Sequence, residues 1–115
     1  MTIISKMFVM LLLLVVSSSA VSGRALGTVE LVQVGHGYTP DNVYVLVDID
    51  GERTARPDCA NDDRMALNPS SEAGKAMYSL LLSARLAGQV VEVIGTKDCE
   101  LMGPGWESVS YMRLK

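Results

Sequence analysis

Two cysteines, Cys59 and Cys99, enclose the stretch of this sequence that most clearly predicts a helix. Two cysteines permit one intramolecular disulfide, and closing a loop of about 41 residues is worth roughly 4 kcal/mol in the chain-entropy model. The alternatives are a reactive thiol and a zinc site, but zinc needs about four ligands and the chain has a single histidine. We therefore predict a structural disulfide that brings the segments before and after the helix together.

Residues 1–22 predict a cleaved secretory signal peptide. Lys6 supplies a positive charge, residues 7–16 are apolar, and residues 17–23 are a run of small residues. The apolar run is too short to span a membrane, which takes about 20 apolar residues. Cleavage after Ala20 and cleavage after Ser22 both satisfy the small-residue requirement. Export to the periplasm or beyond the cell would deliver both cysteines to an oxidising compartment, where disulfides persist.

The remaining segment, residues 23–115, has the length of one small domain. Removal of the leader takes away Lys6 and no acidic residue, so the formal net charge goes from −3 to −4. A nucleic-acid partner requires a basic surface that displaces counterions from phosphates. Nucleic acids and anionic membranes are therefore disfavoured as partners, and no membrane span is expected after cleavage.

Periodic patterns give the order strand, strand, strand, helix, strand, strand. The predicted strands cover residues 28–34, 42–49, 52–56, 89–96 and 106–114. In the first strand Val29 and Leu31 share one face, whereas Val32 and Val34 share the other. This change of phase indicates a β-bulge or a bend. The Asp-Gly pair at 50–51 predicts a type I′ hairpin turn. The third strand should therefore return antiparallel directly after the second.

The helix is predicted to begin at residue 69 or 71 and to end at residue 87. Residues 68–71 offer capping side chains and a proline suited to the first turn, and Gly88 suits a left-handed helix end. The apolar spacing predicts a buried stripe of Ala73, Ala76, Met77, Leu80, Leu81 and Ala84. Tyr78, Leu82 and Arg85 lie beside that stripe, as the margin of the core or as a contact surface.

This order of elements in about 90 residues is that of the OB-fold, a five-stranded Greek-key barrel with a helix between the third and fourth strands. The fold class is therefore mainly β with one helix. The change of phase in the first strand fits, because that strand must curve to serve both halves of a barrel. The alternative is a small α+β roll, with the helix packed on an open antiparallel sheet.

Several motifs also carry a resemblance. They are the signal peptide, the Asp-Gly pair at 50–51, Cys59, the helix at 71–88, the strand end at 95–99 and the terminal stretch 107–112. Together they resemble small exported bacterial proteins and, more remotely, the OB-fold B subunits of subtilase-type and pertussis-like toxins, which also have a cysteine before the helix. The resemblance covers residues 43–112. It implies a barrel, a pentameric ring and binding of sialylated glycans, but the sugar-contacting loops do not align, so none of their residues is transferred.

The function favoured by these patterns is that of an exported, non-catalytic binding module for a glycan or a protein, with a homo-oligomer as one form. The candidate contact residues are Tyr38, Tyr44, Trp106 and Tyr111, because aromatic rings stack on sugars or anchor protein partners. Ordinary packing is the competing role of each ring. The alternative function is that of an exported structural, inhibitory or stress-related protein without a small ligand.

An enzyme is disfavoured. Nucleophilic catalysis needs a base beside the nucleophile and a group that orients the base, and the sequence near His36 supplies neither. Glu92, Glu100 and Glu107 could pair as glycosidase-type carboxylates, but acidic residues at strand ends are common on protein surfaces. We predict no catalytic residue, no metal site and no cofactor.

Overall fold

The computed structural model describes residues 22–37, 39 and 41–115. The elements follow the predicted order: β1 (Arg24–His36), β2 (Val43–Thr54), β3 (Ala60–Leu67), α1 (Glu72–Ala87), β4 (Val90–Gly95) and β5 (Gly105–Leu114). Apart from Ser22, the predicted signal peptide lies outside the described residues. Within them, no helix combines the length and the apolar character that crossing a membrane requires.

The five described strands close into a barrel in the order β1-β2-β3-β5-β4. β3 and β5 run parallel, and the other neighbouring strands pair antiparallel. Because α1 connects β3 to β4, the chain has the predicted OB-like Greek-key topology. The pairing of β1 with β4, which sets Arg24 opposite Ile94, closes the barrel and excludes the open sheet of an α+β roll.

β1 bends at the β-bulge that its sequence predicts. Its register against β2 shifts between Val29 and Leu31. Val29 and Val32 can therefore both pack on the core. The carbonyl oxygens of Val29 and Glu30 accept hydrogen bonds from the guanidinium of Arg85. Arg85 thus fastens the helix to the bend of β1.

The predicted hairpin turn at Asp50 and Gly51 is wrong. β2 continues through both residues to Thr54, and Gly51 pairs with Gly27 of β1. The two strands approach so closely that a Cβ on either glycine would overlap a carbonyl oxygen of the opposite strand. Glycine within a strand often marks such a close backbone approach, and here that role takes precedence over turn formation.

The chain reverses later, so the third strand predicted at residues 52–56 is also misplaced. The connection contains Ala55, whose φ is +55°, and the amide of Ala60 donates to the carbonyl oxygen of Pro57 at 3.0 Å. β3 begins at Ala60, in an acidic segment whose sequence predicts a turn. Its acidic side chains are accommodated because they stay exposed to solvent, Asp62 to 34% and Asp63 to 61%.

α1 has the predicted ends. The hydroxyl of Ser71 accepts a hydrogen bond from the amide of Gly74 at 2.9 Å, which caps the N-terminus. Gly88 has a φ of 65° and ends the helix in the left-handed conformation. These local signals therefore predict both ends of the helix correctly.

The buried face of α1 is rotated relative to the prediction. Ala73 and Ala76 are exposed, and Gly74 is buried in their stead. A Cβ at Gly74 would overlap the carbonyl oxygen of Asn68, so the preceding loop packs against the helix at that point. The helical side chains that pack on the core are Met77, Tyr78, Leu81 and Ala84, which makes Tyr78 part of the core margin.

The predicted disulfide is confirmed. Cys59 and Cys99 are bonded, with their Cα atoms 6.1 Å apart. The amide of Gly105 donates to the carbonyl oxygen of Cys59 at 2.8 Å. The crosslink therefore lies beside the start of the parallel β3–β5 pairing and ties the loop after β4 to it.

Candidate functional site

A polar and aromatic cluster lies on the outer surface of the barrel. Side chains alternate between the two faces of a strand, so the neighbours of core residues such as Val32, Val45 and Met65 point outward. We call the resulting group the Arg64 face; its members are Gln33 of β1, Tyr44 and Asp48 of β2, Asp62 and Arg64 of β3, and Trp106 of β5.

β3 bulges at the centre of this face. Between its pairings at Ala60 and at Met65, β3 advances five residues while β5 advances two. The carboxylate of Asp62 accepts a hydrogen bond from the amide of Arg64 at 2.9 Å, which holds the extra residues in a tight local turn. The bulge therefore presents Arg64 to the solvent in a fixed position.

The guanidinium of Arg64 has a partner on each side. Its Nε and Nη2 donate to Oδ2 of Asp62 at 3.0 and 2.6 Å, and its Nη1 donates to Oε1 of Gln33 at 3.1 Å. Its central carbon lies 5.8 Å from the ring centroid of Trp106, within cation–π range. The side chains of Arg64 and Asp62 remain 28% and 34% exposed, so both groups are fixed and still reachable from solvent.

This pairing keeps both groups charged. The hydrogen bond from Arg64 is the main cause that lowers the pKa of Asp62 to about 2. Asp62 raises the pKa of Arg64, and the nearby Asp48 and Tyr44 add smaller effects of the same sign. The site therefore combines fixed hydrogen-bond acceptors with fixed donors.

The indole nitrogen of Trp106 is a further polar atom of this face. It is buried, and within the described part of the chain it makes no hydrogen bond of normal geometry. It lies close enough to Asp62 to contribute slightly to the lowered pKa of that carboxyl. Trp106 therefore lies close to both members of the ion pair.

Two of the four predicted contact residues lie on the Arg64 face. Tyr44 and Trp106 are both half-buried there. Tyr111 lies on the part of β5 that pairs with β4; it is 48% exposed, and the guanidinium of Arg113 is 5.9 Å from its ring centroid. Tyr38 lies outside the described residues.

A second polar cluster is buried around Glu107. This carboxylate is fully buried, and its Oε1 accepts from Nη2 of Arg53 at 2.7 Å. Its Oε2 accepts from the amides of Gly23 and Lys97 at 2.9 and 3.1 Å. A Cβ at Gly95 would overlap the carboxylate, so the barrel wall closes tightly around this charge.

Glu92 is the second buried carboxylate, with 3% of its side chain exposed. The guanidinium groups of Arg24 and Arg113 both lie 2.6 Å from its oxygens. The hydrogen bond from Arg113, followed by that from Arg24, lowers the pKa of Glu92. Glu100 is exposed. Two of the three glutamates weighed as catalytic carboxylates, Glu92 and Glu107, are therefore engaged in ion pairs.

Sequence reasoning missed Asp62 and Arg64, and it expected Glu107 on the surface, whereas the structure buries it. An aspartate two residues before an arginine is the local signal for the first pair, but it is common in ordinary turns. For Glu107 the signal is a carboxylate on the strand face that also carries the core residue Val109. In the described residues, no three His, Cys, Asp or Glu side chains are arranged to hold a metal ion.

Comparisons with known proteins find no family model, no curated protein and no solved structure that matches this chain. The Arg64 face is therefore interpreted from its own chemistry.

Proposed function

We propose that this protein is an exported, non-catalytic binding module that recognises a glycan through the Arg64 face. The observation that carries the proposal is the Arg64–Asp62 pair, fixed in position above the ring of Trp106 and still open to solvent. Outer barrel surfaces and loops of the OB-fold bind oligosaccharides and oligonucleotides. The acidic balance of the chain favours the former.

The chemistry of the face suits sugar hydroxyl groups. A hydroxyl group both donates and accepts hydrogen bonds, and it would meet the acceptor oxygens of Asp62 beside the donors of Arg64. The ring of Tyr44, which lies over Gly35 of β1 on the same face, could contact the apolar face of a sugar ring. Because these groups are already oriented by one another, little side-chain freedom is lost when a ligand binds.

The local charge favours a neutral glycan. Asp48 and Asp62 supply two carboxylates near the single guanidinium of Arg64, and Asp62 remains ionised because its pKa is lowered to about 2. A sialylated glycan, which the toxin-subunit resemblance implies, would bring another carboxylate to this surface. We therefore expect neutral sugars to bind more tightly than sialylated ones.

Export rests on two independent features. The leader predicts secretion, and the Cys59–Cys99 disulfide is of the kind that persists in oxidising compartments.

A glycan array probed with the mature, oxidised protein tests the proposal. Binding to a neutral glycan should weaken about tenfold or more in Tyr44→Ala, since truncation of an aromatic contact costs about 1–2 kcal/mol. Tyr111→Ala is the matched control, because it removes the same ring from a different part of the barrel, and it should bind as the parent does. An array without any binding, or an equal loss in both variants, would contradict the proposal.

Assembly is tested on the same sample. Size-exclusion chromatography with light scattering that detects a stable ring would support the toxin-subunit analogy. A monomer that binds no glycan would instead support the exported structural, inhibitory or stress-related role. A pull-down from periplasmic extract then distinguishes a protein partner from a glycan.

A further inference from the structure

The backbone nitrogen of Gly23 lies in a buried carboxylate site. It donates to Oε2 of Glu107 at 2.9 Å, and Gly23 itself is buried. The carbonyl oxygen of Gly23 accepts from the amide of Gly95 at 2.8 Å. Hydrogen bonds therefore hold both the nitrogen and the carbonyl oxygen of Gly23, and the nitrogen is directed at the carboxylate of Glu107.

We propose that the signal peptidase cuts between Ser22 and Gly23, and that the new α-ammonium group of Gly23 forms a buried ion pair with Glu107. The inference rests on the export proposed above. Water adds across the peptide bond: Ser22 leaves with the leader as a carboxylate, and Gly23 keeps the nitrogen, which takes up a proton. The product is a cation 2.9 Å from the Oε2 atom of Glu107.

The carboxylate is arranged to receive a second cation. Its Oε1 is bound by Arg53, while its Oε2 is bound only by backbone amides of Gly23 and Lys97 among the described residues. Replacement of a neutral amide donor by an ammonium group makes the hydrogen bond charge-assisted, and such bonds are about twice as strong. The same barrel already holds Glu92 between two guanidinium groups.

The residue type at position 23 fits this role. A Cβ at Gly23 would overlap the carboxylate of Glu107 and crowd the guanidinium of Arg53, so another residue here would force the ion pair apart. On the leader side, Ala20 and Ser22 are small residues at the spacing that a signal peptidase requires. Cleavage after Ala20 would also fit that spacing, but it would leave a neutral amide against Glu107.

Burial of Gly23 also determines whether cleavage or folding of the barrel comes first. The bond between Ser22 and Gly23 ends at a buried residue, so the peptidase must cut it before the barrel closes. Closure then sequesters the new amino group. The first residue of the mature chain thereby becomes part of the interior of the barrel.

N-terminal sequencing and intact mass of the protein purified from cells that express the full chain form the first test. We expect the mature chain to begin at Gly23. A chain that begins at Val21 overturns this inference and leaves export intact, whereas a chain that retains its leader overturns export as well. Glycan binding is measured separately, so its failure is distinguishable from both results.

Reactivity of the α-amino group is the second test. An N-hydroxysuccinimide ester at neutral pH should label the α-amine of the folded Gly23 chain at least tenfold more slowly than that of the urea-unfolded chain. An alanine added before Gly23 keeps every side chain but moves the amine out of the site. It should restore labelling and lower the Tm by about 5 °C, whereas an alanine added after Lys115 should change neither.

Equal labelling of the folded Gly23 chain and the alanine-extended chain would overturn the ion pair. So would an equal Tm for the two chains. Because the extended chain retains Glu107 and Arg53, the comparison does not depend on a variant that disrupts the buried cluster.

Discussion

Substitution of Glu107 by glutamine should remove a large part of the stability of the barrel. Glu107 is fully buried and Arg53 is only 10% exposed, so Glu107→Gln leaves an uncompensated guanidinium in the barrel wall. Loss of one partner of a buried ion pair costs about 3–5 kcal/mol. The total free energy of unfolding of a small domain is about 5–15 kcal/mol, so the variant should be marginally stable.

Urea denaturation of the oxidised chain of residues 23–115, followed by circular dichroism, measures this loss. With a slope of about 1–3 kcal/mol per molar urea, the transition midpoint should fall by at least about 1 M while the slope stays constant. Glu100→Gln is the control, because Glu100 is exposed and such changes stay within about 0.5 kcal/mol.

The double variant Arg53→Met, Glu107→Leu tests the cause when it is made with an alanine added before Gly23, so that no α-ammonium group faces the apolar pair, and is compared with Glu107→Gln in the same extended chain. Apolar replacement of both members of a buried pair is often neutral or stabilising, so most of the lost stability should return. A loss below about 1 kcal/mol in Glu107→Gln, which is the size expected for an exposed pair, would refute the reasoning. A double variant that is less stable than Glu107→Gln would refute it as well.

Three further predictions concern other parts of the barrel. Joint replacement of Cys59 and Cys99 by serine should cost about 4 kcal/mol, seen as a lower urea midpoint; an unchanged midpoint would remove the disulfide from the account of stability. The stability contributed by Asp62 is present above its ordinary pKa of 3.8 and is lost as the pH falls through its lowered pKa of about 2. Fluorescence of Trp106, the single tryptophan, should therefore change with a midpoint near pH 2, and Asp62→Asn should abolish that step. Ser71→Ala should cost about 1 kcal/mol through the lost helix cap, measured by the same urea titration.

Local signals in the sequence predicted much of the architecture. The helix ends were correct because Ser71 and Gly88 act on their own backbone neighbours. The bulge of β1 was correct because the phase of Val29 and Val32 records which side chains reach the core. The disulfide could be predicted from the sequence alone, since two cysteines permit only one internal pair.

The errors arose where a distant part of the chain decides the outcome. Asp50 and Gly51 have the composition of a turn, but the close approach of Gly27 in β1 keeps them in a strand. Gly74 takes the place of Ala73 and Ala76 on the buried face because the carbonyl oxygen of Asn68 lies against it. Neither contact can be read from residues that are adjacent in sequence.

The candidate site was predicted in part for the same reason. Aromatic residues are recognisable by type, so Tyr44 and Trp106 could be named in advance. Arg64 joins them only because β3 carries extra residues relative to β5. A bulge of that kind depends on the register between strands, which the sequence of one strand does not specify.

The position of the disulfide also bears on the rate of folding. Pairing of β3 with β5 requires the chain to close a long loop through α1 and β4, and long-range pairings of this kind fold slowly. Cys59 directly precedes Ala60, whose partner in the pairing is Gly105. In the oxidised chain the cysteines, 40 residues apart in sequence, are already joined when folding begins. The parallel pair then forms as a nearly local event, and the crosslink guides the order of assembly as well as stabilising its product.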